Sequence, residues 1–228
     1  MCGSLGDKMN PYLIILSFSI LLVIIFIIAI YRLSVGTLSV RGKLRYAQSA
    51  PWDLHEFLNL NPSKPKRNEY YRFNEEPVRS HAHRFVGRFD SAILHWEERP
   101  VLDMIIENKF PVNYLPDRAK REDIFQAGLY TLALSESGVS CNSTKLVIIY
   151  CLQDTARRCL RGNSAKMCWQ CDKGRLFTKD YDQKKIMNRL SMINEVWYGK
   201  RKPRANSTDD NCRPCPFSKN GKCNYSAI

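Results

Sequence analysis

The sequence contains 228 residues, with 35 lysines and arginines against 22 aspartates and glutamates, and 44% of its residues are hydrophobic. This length suits one ordinary domain with an appendage rather than two full domains. The composition excludes collagen-like, disordered and coiled-coil chains. The formal net charge of +13 favours polyanionic partners, either nucleic acid or anionic lipid headgroups, without choosing between them.

An uncharged apolar run of eighteen residues lies near the N-terminus, over residues 13–30. At about 1.5 Å per residue it approaches the length that crosses a hydrocarbon core of roughly 30 Å. It is longer than the core of a signal peptide, and no clear small-x-small cleavage site follows it, so we expect a retained membrane anchor. The basic residues that follow it closely are Arg32, Arg41, Lys43 and Arg45. The positive-inside rule therefore predicts a single-pass membrane protein with a cytoplasmic C-terminal domain, and this basic segment is expected to meet membrane lipid.

Five segments are predicted along the chain. They are a short extracytoplasmic N-terminus over residues 1–10, a transmembrane helix over 11–31, a basic linker over 32–50, a folded domain over 51–199 and a basic, cysteine-containing segment over 200–228.

Hydrophobic periodicity predicts an α/β (α+β) fold for the folded domain, with a mixed central sheet flanked by helices. We expect a helix over residues 52–60 and a loop over 61–77, which holds three prolines and many charges. Strand-like runs over 78–86, 89–96 and 101–109 indicate an antiparallel meander. A helix over 117–135, a buried central strand over 146–152 and a helix over 181–198 complete the domain, and residues 200–228 show little secondary-structure signal.

Two carboxylates and a lysine fall on neighbouring predicted strands. Asp90 comes shortly after Gly87 on one strand, and Glu107 and Lys109 are two residues apart on the next, so the latter two face the same side. Carboxylates from two strands offer the hard oxygen ligands that Mg²⁺ or Mn²⁺ prefers. A lysine beside them can orient a water or offset the charge of a phosphate. This set therefore indicates metal-dependent phosphodiester hydrolysis.

Gln126 and Tyr130 are four residues apart on the following predicted helix, so they project from one face. The order Gly-x-x-Asp, Glu-x-Lys, Gln-x-x-x-Tyr and terminal cysteines resembles the PD-(D/E)XK nucleases, in the RecB-like branch that includes the CRISPR-associated exonuclease. The resemblance covers residues 78–228. It implies a restriction-endonuclease-like fold, a setting in antiviral defence and Lys109 as the catalytic lysine, with Gln126 and Tyr130 supporting the metal site or DNA.

The resemblance also implies a set of metal ligands. Asp90 and Glu107 would bind Mg²⁺ or Mn²⁺, with the carbonyl of Asn108 as a third ligand. The family usually carries a histidine on the helix before the meander, and His55 is the candidate here. His81 and His83 are expected in the first strand of the meander, too close to Asp90 for this role.

Three cysteines near the C-terminus, Cys212, Cys215 and Cys223, form a C-x2-C-x7-C pattern. A reducing cytoplasm disfavours disulfides, so clustered cysteines there favour metal binding. In the RecB-like branch three such cysteines join a distant N-terminal cysteine around a [4Fe–4S] cluster, which the resemblance implies here. No cysteine lies between the anchor and Asp90 to supply the fourth ligand.

A three-cysteine cluster, a borrowed fourth ligand and a zinc site therefore all stay open. Cys168 and Cys171 form a second C-x-x-C that offers a ligand or a separate zinc site, and Cys159 is a weaker candidate. Cys141 and Cys151 have the character of small buried hydrophobic residues.

A basic run precedes the C-terminal cysteines and suits contact with a phosphate backbone; it consists of Lys200, Arg201, Lys202 and Arg204. The sequence thus predicts a membrane-anchored, metal-dependent DNA nuclease, an exonuclease on single-stranded ends according to the resemblance. One alternative is a catalytically inactive, membrane-tethered nucleic-acid-binding module with a cysteine metal site. A third reading, a membrane-linked cysteine metal protein in redox work, leaves the carboxylates and lysine unexplained.

Overall fold

The computed structural model describes residues 11–35, 39–60, 65, 69–161, 168–169, 171–202 and 204–228. The expected extracytoplasmic segment, residues 1–10, lies outside these. The chain divides into two compact units, Met1–Tyr181 and Asp182–Ile228.

The first helix, α1, spans Pro11–Val35. It begins at a proline, which lacks a backbone N–H and is therefore well tolerated in a first helical turn. The apolar side chains described along residues 15–27 are exposed. Across the described residues, no helix is both long and apolar enough to cross a membrane, so the expected transmembrane span over 11–31 has no support in the structure.

The segment predicted as a basic linker holds a helix and a strand. Helix α2 spans Val40–Tyr46, and its first turn is capped by the Ser39 hydroxyl, which accepts from the Gly42 N–H at 3.3 Å. Leu44 on this helix is 1% exposed and packs among the apolar side chains of one sheet face. Strand β1, Gln48–Ser49, then joins the edge of the sheet. Within the predicted linker, residues 40–46 are therefore helical and residues 48–49 form a strand of the sheet.

Lys43 on α2 is also used inside the fold rather than presented to lipid. Its amino group forms an ion pair with Asp103, whose side chain is 3% exposed, and lies 5.2 Å from the centre of the Tyr70 ring. The second Asp103 oxygen lies 2.5 Å from Nδ1 of His95. The charge of Lys43 is therefore satisfied by a buried carboxylate, and contact of the basic segment with membrane lipid stays a prediction.

The remaining elements of the first unit follow in chain order. They are α3 (Leu54–Leu58), β2 (Tyr71–Asn74), β3 (Pro77–Ser80), β4 (Phe85–Arg88), β5 (Ser91–Trp96), β6 (Pro100–Lys109), α4 (Arg121–Glu136), β7 (Lys145–Tyr150), α5 (Gln153–Arg161) and β8 (Arg175–Asp180).

A six-stranded sheet in the order β1-β2-β5-β6-β7-β8 forms the centre of this unit. The pairs β1·β2 and β6·β7 are parallel, whereas β2·β5, β5·β6 and β7·β8 are antiparallel. Apolar side chains of α3 and α4 pack on one face, and those of α2 and residues 168–169 pack on the other. The predicted α/β class with a mixed sheet and flanking helices is confirmed.

The predicted meander is correct only in its second and third strands. The run over residues 78–86 is broken by a turn, so β3 and β4 form a separate two-stranded sheet. In that turn Arg84 adopts a φ of 54°, and the Ser80 hydroxyl accepts from the His83 N–H at 3.0 Å. His81 and His83 therefore lie in a turn and not in a strand. The neighbour of β5 is instead β2, within the segment predicted as a loop.

The second unit is described by itself. It contains α6 (Gln183–Trp197) and two short helices, α7 (Asp209–Cys212) and α8 (Pro216–Lys219). The Asp182 side chain caps α6 by accepting from the Lys185 N–H at 3.0 Å. The helix predicted over residues 181–198 is confirmed, and the cysteine segment contains slightly more helix than expected.

Candidate active site

The candidate active site is built on β6, the longest strand of the sheet. Its residues are almost all buried, and it lies between β5 and β7 in the middle of the sheet order. Because side chains alternate along a strand, Glu107 and Lys109 share one face and Asn108 points to the other. Helix α4 packs against β6 and β7 on the face of Glu107. The strand and helix predicted to carry the site residues are therefore neighbours in space.

Asp90 lies in the short link between β4 and β5, opposite the end of β6. Its Oδ2 accepts a hydrogen bond from the backbone N–H of Asn108 at 2.6 Å. The Asp90 carbonyl in turn accepts from the Glu75 N–H at 3.1 Å. These two bonds fix the carboxylate beside the backbone that joins Glu107 to Lys109. The structure thus places Asp90, Glu107 and the backbone of Asn108 together.

Glu107 is the most buried ionisable residue of this group, with 1% of its surface exposed. Burial raises the pKa of its carboxyl to about 7; a hydrogen bond from Lys109 opposes the rise, and the Asp90 charge adds to it. One oxygen, Oε2, accepts from the Lys109 amino group at 3.0 Å. The other, Oε1, is buried and has no donor at hydrogen-bond geometry among the described residues, although the Asp90 backbone N–H acts on the carboxyl and lowers its pKa. An unpartnered buried carboxylate oxygen is costly, and a bound cation would satisfy it.

Lys109 links Glu107 to helix α4. Its amino group donates to Oε1 of Gln126 at 2.8 Å as well as to Glu107, and the Gln126 amide donates to the Tyr130 hydroxyl at 2.7 Å. The side chain of Lys109 is 23% exposed, so its positive charge remains within reach of a ligand from solvent. Glutamate, lysine, glutamine and tyrosine therefore form one continuous hydrogen-bonded chain across the site.

Gly87 is required where Tyr130 packs against β4. A Cβ built on this glycine would overlap the edge of the Tyr130 ring. Tyr130 is 8% exposed and belongs to the main apolar core, so its ring has little room to withdraw. The Gly-x-x-Asp pattern thus has a steric basis in this chain: the glycine admits the tyrosine that ends the hydrogen-bonded chain.

Tyr150 is a positioning residue that the sequence reasoning missed. It ends β7 opposite Lys109 in the parallel register, and its hydroxyl accepts from the Lys120 N–H at 2.9 Å and donates to Asp123. These bonds fasten the first turn of α4, the helix that carries Gln126, to the sheet. The sequence signal that could have indicated this role is a tyrosine at the end of a strand whose other buried residues are aliphatic.

The donor atoms present fit a hard divalent cation, with two carboxylates and a nearby backbone carbonyl. His55 is not brought to them: it is exposed on α3, with Nε2 3.5 Å from the side-chain amide of Asn59. Among the described residues, no group of three or more His, Cys, Asp or Glu side chains is arranged to hold a metal ion. The side chains that could hold a cation here are therefore Asp90 and Glu107, with the Asn108 carbonyl as the third ligand that the resemblance implies.

The predicted DNA-binding run lies in the second unit, after α6. Lys200, Lys202 and Arg204 are exposed. Arg201 is used locally: its Nε donates to Glu195 at 3.1 Å and its Nη2 to the Met192 carbonyl at 2.8 Å, which closes the end of α6. Three of the four cations are thus presented to solvent, and one stabilises the helix end.

The C-terminal cysteines also lie in the second unit. Cys212 is 6% exposed and its sulfur accepts from the Ala227 N–H at 3.4 Å. Cys215 occupies the N-cap position of α8, where the backbone N–H groups of Ser218 and Phe217 lower the pKa of its thiol. Cys223 is partly exposed. The three-cysteine cluster stays a prediction.

No protein-family model matches the chain, and a comparison with curated proteins finds no matching sequence. The geometry of the site therefore carries the functional argument.

Proposed function

We propose that this chain is a metal-dependent deoxyribonuclease of the PD-(D/E)XK, RecB-like type. The observation that carries the proposal is Glu107: a buried carboxylate with one unpartnered oxygen, beside a second carboxylate and in contact with a lysine. A bound cation would satisfy this oxygen, which the ion pair with Lys109 leaves without a partner. The resemblance adds DNA as the substrate and single-stranded ends as the preferred target.

Mg²⁺ or Mn²⁺ held by Asp90, Glu107 and the Asn108 carbonyl would supply Lewis-acid activation of the phosphate and of a water. Asp90 is oriented for this by the Asn108 N–H, and Glu107 by Lys109. The Lys109 ammonium would offset the charge that develops on the phosphoryl oxygens and orient the attacking water. Gln126 holds Lys109 from the opposite side, so that its amino group stays over the site.

Membrane attachment is part of the same proposal and rests on α1. Apart from Ser17 and Ser19, the side chains of residues 15–27 are apolar, and they are exposed, a surface that lipid would cover. Flotation of the full chain with lipid vesicles tests this, with Ile20→Asp and Ile24→Asp together as the perturbation. Loss of flotation is the expected result, and unchanged flotation would contradict the attachment.

The nuclease proposal is tested by cleavage of end-labelled linear single-stranded DNA, linear duplex and circular single-stranded DNA by the full chain. We expect cleavage of linear single strands with Mn²⁺ and none with EDTA. Lys109→Ala should lose about a hundredfold or more in rate, the usual loss for a group that stabilises developing charge. Lys145→Ala is the matched control, because Lys145 sits on the adjacent strand in an exposed pair with Asp180.

The outcomes separate the candidate functions. Metal-dependent cleavage that Lys109→Ala abolishes supports the nuclease, and resistance of the circular substrate supports action at ends. DNA binding without cleavage by the unaltered chain would contradict the nuclease and favour the tethered binding module.

A further inference from the structure

A cavity lies on the face of the sheet opposite the candidate active site. Its volume is about 840 Å³, and Ile106 and Asn108 of β6 line it. These residues alternate with Glu107 and Lys109, which face the other side. Other parts of its wall come from α2, from β1, β2 and β5, from the end of β7, from α5, and from residues 168–169 and 171–173. None of the candidate catalytic side chains of the first face takes part in it.

Four cysteines line this one cavity, and three separate pieces of chain deliver them. Cys151 follows β7, Cys159 lies on α5, and Cys168 and Cys171 form a C-x-x-C turn in which the Cys171 N–H donates to the Cys168 carbonyl at 3.3 Å. None of the four is in a disulfide. Four thiols on one wall are the ligand set that Zn²⁺ and iron–sulfur clusters take.

The four thiols are close enough to influence one another. Burial raises the pKa of Cys151, and the charges of Cys171, Cys168 and Cys159 raise it further. Burial likewise raises the pKa of Cys168, and the charges of Cys171 and Cys159 raise it further. Thiolates gathered like this repel one another, and a bound cation removes the repulsion while the thiols release their protons.

The surroundings of the thiols suit a buried anionic centre. Trp169 and Leu44 give the cavity an apolar wall and pack in the same core cluster as Cys168. Arg72 and Lys173 also line it and offset the negative charge that four thiolates bring, whereas Asp172 adds one carboxylate. Such a shell controls solvent access and charge at a metal site.

We propose that Cys151, Cys159, Cys168 and Cys171 bind a metal centre through four thiolates, either an iron–sulfur cluster or one Zn²⁺ ion. The centre would tie α5 and the C-x-x-C pair to the end of β7, the strand that lies beside the one carrying Glu107 and Lys109. All four proposed ligands lie within the first unit. The inference goes beyond nuclease activity and does not depend on it.

The spacing of the thiols bears on the occupant. As they stand, no three ligating side chains in the described part of the chain are arranged for one ion. A Zn²⁺ ion needs every sulfur at about 2.3 Å, whereas an iron–sulfur core keeps its thiolates farther apart. The four thiols would therefore have to draw closer to bind either occupant, and the metal content of the purified chain distinguishes the two.

The test is the metal content of the full chain, purified in detergent without oxygen and measured as iron, acid-labile sulfide and zinc per chain. Cys159→Ser and the Cys168→Ser/Cys171→Ser double variant should each fall at least tenfold in bound metal. Cys141→Ser is the matched control, because Cys141 is a buried thiol that hydrogen-bonds to the Thr131 carbonyl in the main core. Cys212→Ser/Cys215→Ser tests the rival site in the second unit.

Iron with sulfide, or zinc alone, lost only in the first two variants would support the site and identify its occupant. Metal that is retained in those variants, lost only with Cys212 and Cys215, or absent from the unaltered chain would overturn it. Cys159 is only partly buried on α5, so its serine variant removes a ligand without disturbing the core. Circular dichroism of each variant confirms that the loss of metal is not a loss of fold.

Discussion

Replacing Glu107 by glutamine should stabilise the metal-free protein while it removes a proposed metal ligand. The carboxyl has a pKa of about 7 in the folded chain against 4.5 for the free side chain. At 1.36 kcal/mol per pKa unit this difference corresponds to roughly 3 kcal/mol. Above pH 7 the group is charged in both the folded and the unfolded state, and the folded state bears the whole penalty. Below pH 4.5 the group is protonated in both states and the penalty vanishes.

The assay is thermal unfolding of the full chain in EDTA at pH 8 and at pH 4. At pH 8 Glu107→Gln should raise the midpoint by about 6–12 °C, given about 2–4 °C per kcal/mol for a chain of this size. At pH 4 the two midpoints should coincide. Asp180→Asn is the control, because that carboxylate is 80% exposed and its loss should change little. Added Mn²⁺ should raise the midpoint of the unaltered chain more than that of Glu107→Gln. A variant that is less stable than the unaltered chain at pH 8 would refute this view of Glu107.

Three further predictions concern the scaffold. Asp103→Asn should lower the free energy of unfolding by about 3 kcal/mol, because it removes a buried carboxylate that pairs with Lys43 and His95. The control, Asp180→Asn, removes an exposed carboxylate and should cost at most about 1 kcal/mol. Equal losses for the two variants in urea unfolding would contradict this expectation. Burial lowers the pKa of His95, but hydrogen bonds and charge from Asp103 and Glu97 outweigh it and leave the pKa above 6.5. The unaltered chain should therefore be more stable than a His95→Gln variant, with the full difference in unfolding free energy below pH 6.5 and a shrinking one as the pH rises through the folded-state pKa of His95. A difference that grows with pH would be inconsistent with this expectation. Gly87→Ala should push the Tyr130 ring aside, cost about 1–3 kcal/mol in stability and slow DNA cleavage, whereas unchanged stability and cleavage would show that the ring moves freely.

Much of the fold was predictable because it depends on local periodicity. The spacing of apolar residues predicts the strands β5, β6 and β7 and the helices α4 and α6. Three neighbouring elements, β2, β8 and α5, could not be predicted in this way. Strand β8 lies at the sheet edge with mostly exposed side chains, and α5 has only one buried residue, so neither carries an apolar pattern. Strand β2 is hidden among prolines and charges, and its identity depends on pairing with β5.

The candidate site likewise has a part that local spacing predicts and a part that depends on the tertiary fold. Glu107 and Lys109 share a strand face by simple alternation, and Gln126 and Tyr130 share a helix face by helical spacing, so their grouping followed from local rules. The meeting of the two pairs depends on α4 packing over β6, which no local pattern states.

The cysteine cavity could not be predicted from local patterns either, because its residues come together only in the tertiary fold. Cys151 had the character of a small buried hydrophobic residue, and only the fold places it with Cys159 and the C-x-x-C turn. The role of Lys43 was likewise missed, because its partner Asp103 is sixty residues away along the chain.

The central claim is that Asp90 and Glu107 hold a catalytic cation, and its most direct test is the rate of single-stranded DNA cleavage as a function of Mn²⁺ concentration. The unaltered chain should show a saturable dependence on Mn²⁺ that EDTA abolishes. Asp90→Asn and Glu107→Gln should remain folded, cleave at least about a hundredfold more slowly and require more Mn²⁺, while Asp180→Asn behaves like the unaltered chain. Cleavage that persists in both variants with an unchanged Mn²⁺ dependence would contradict the account.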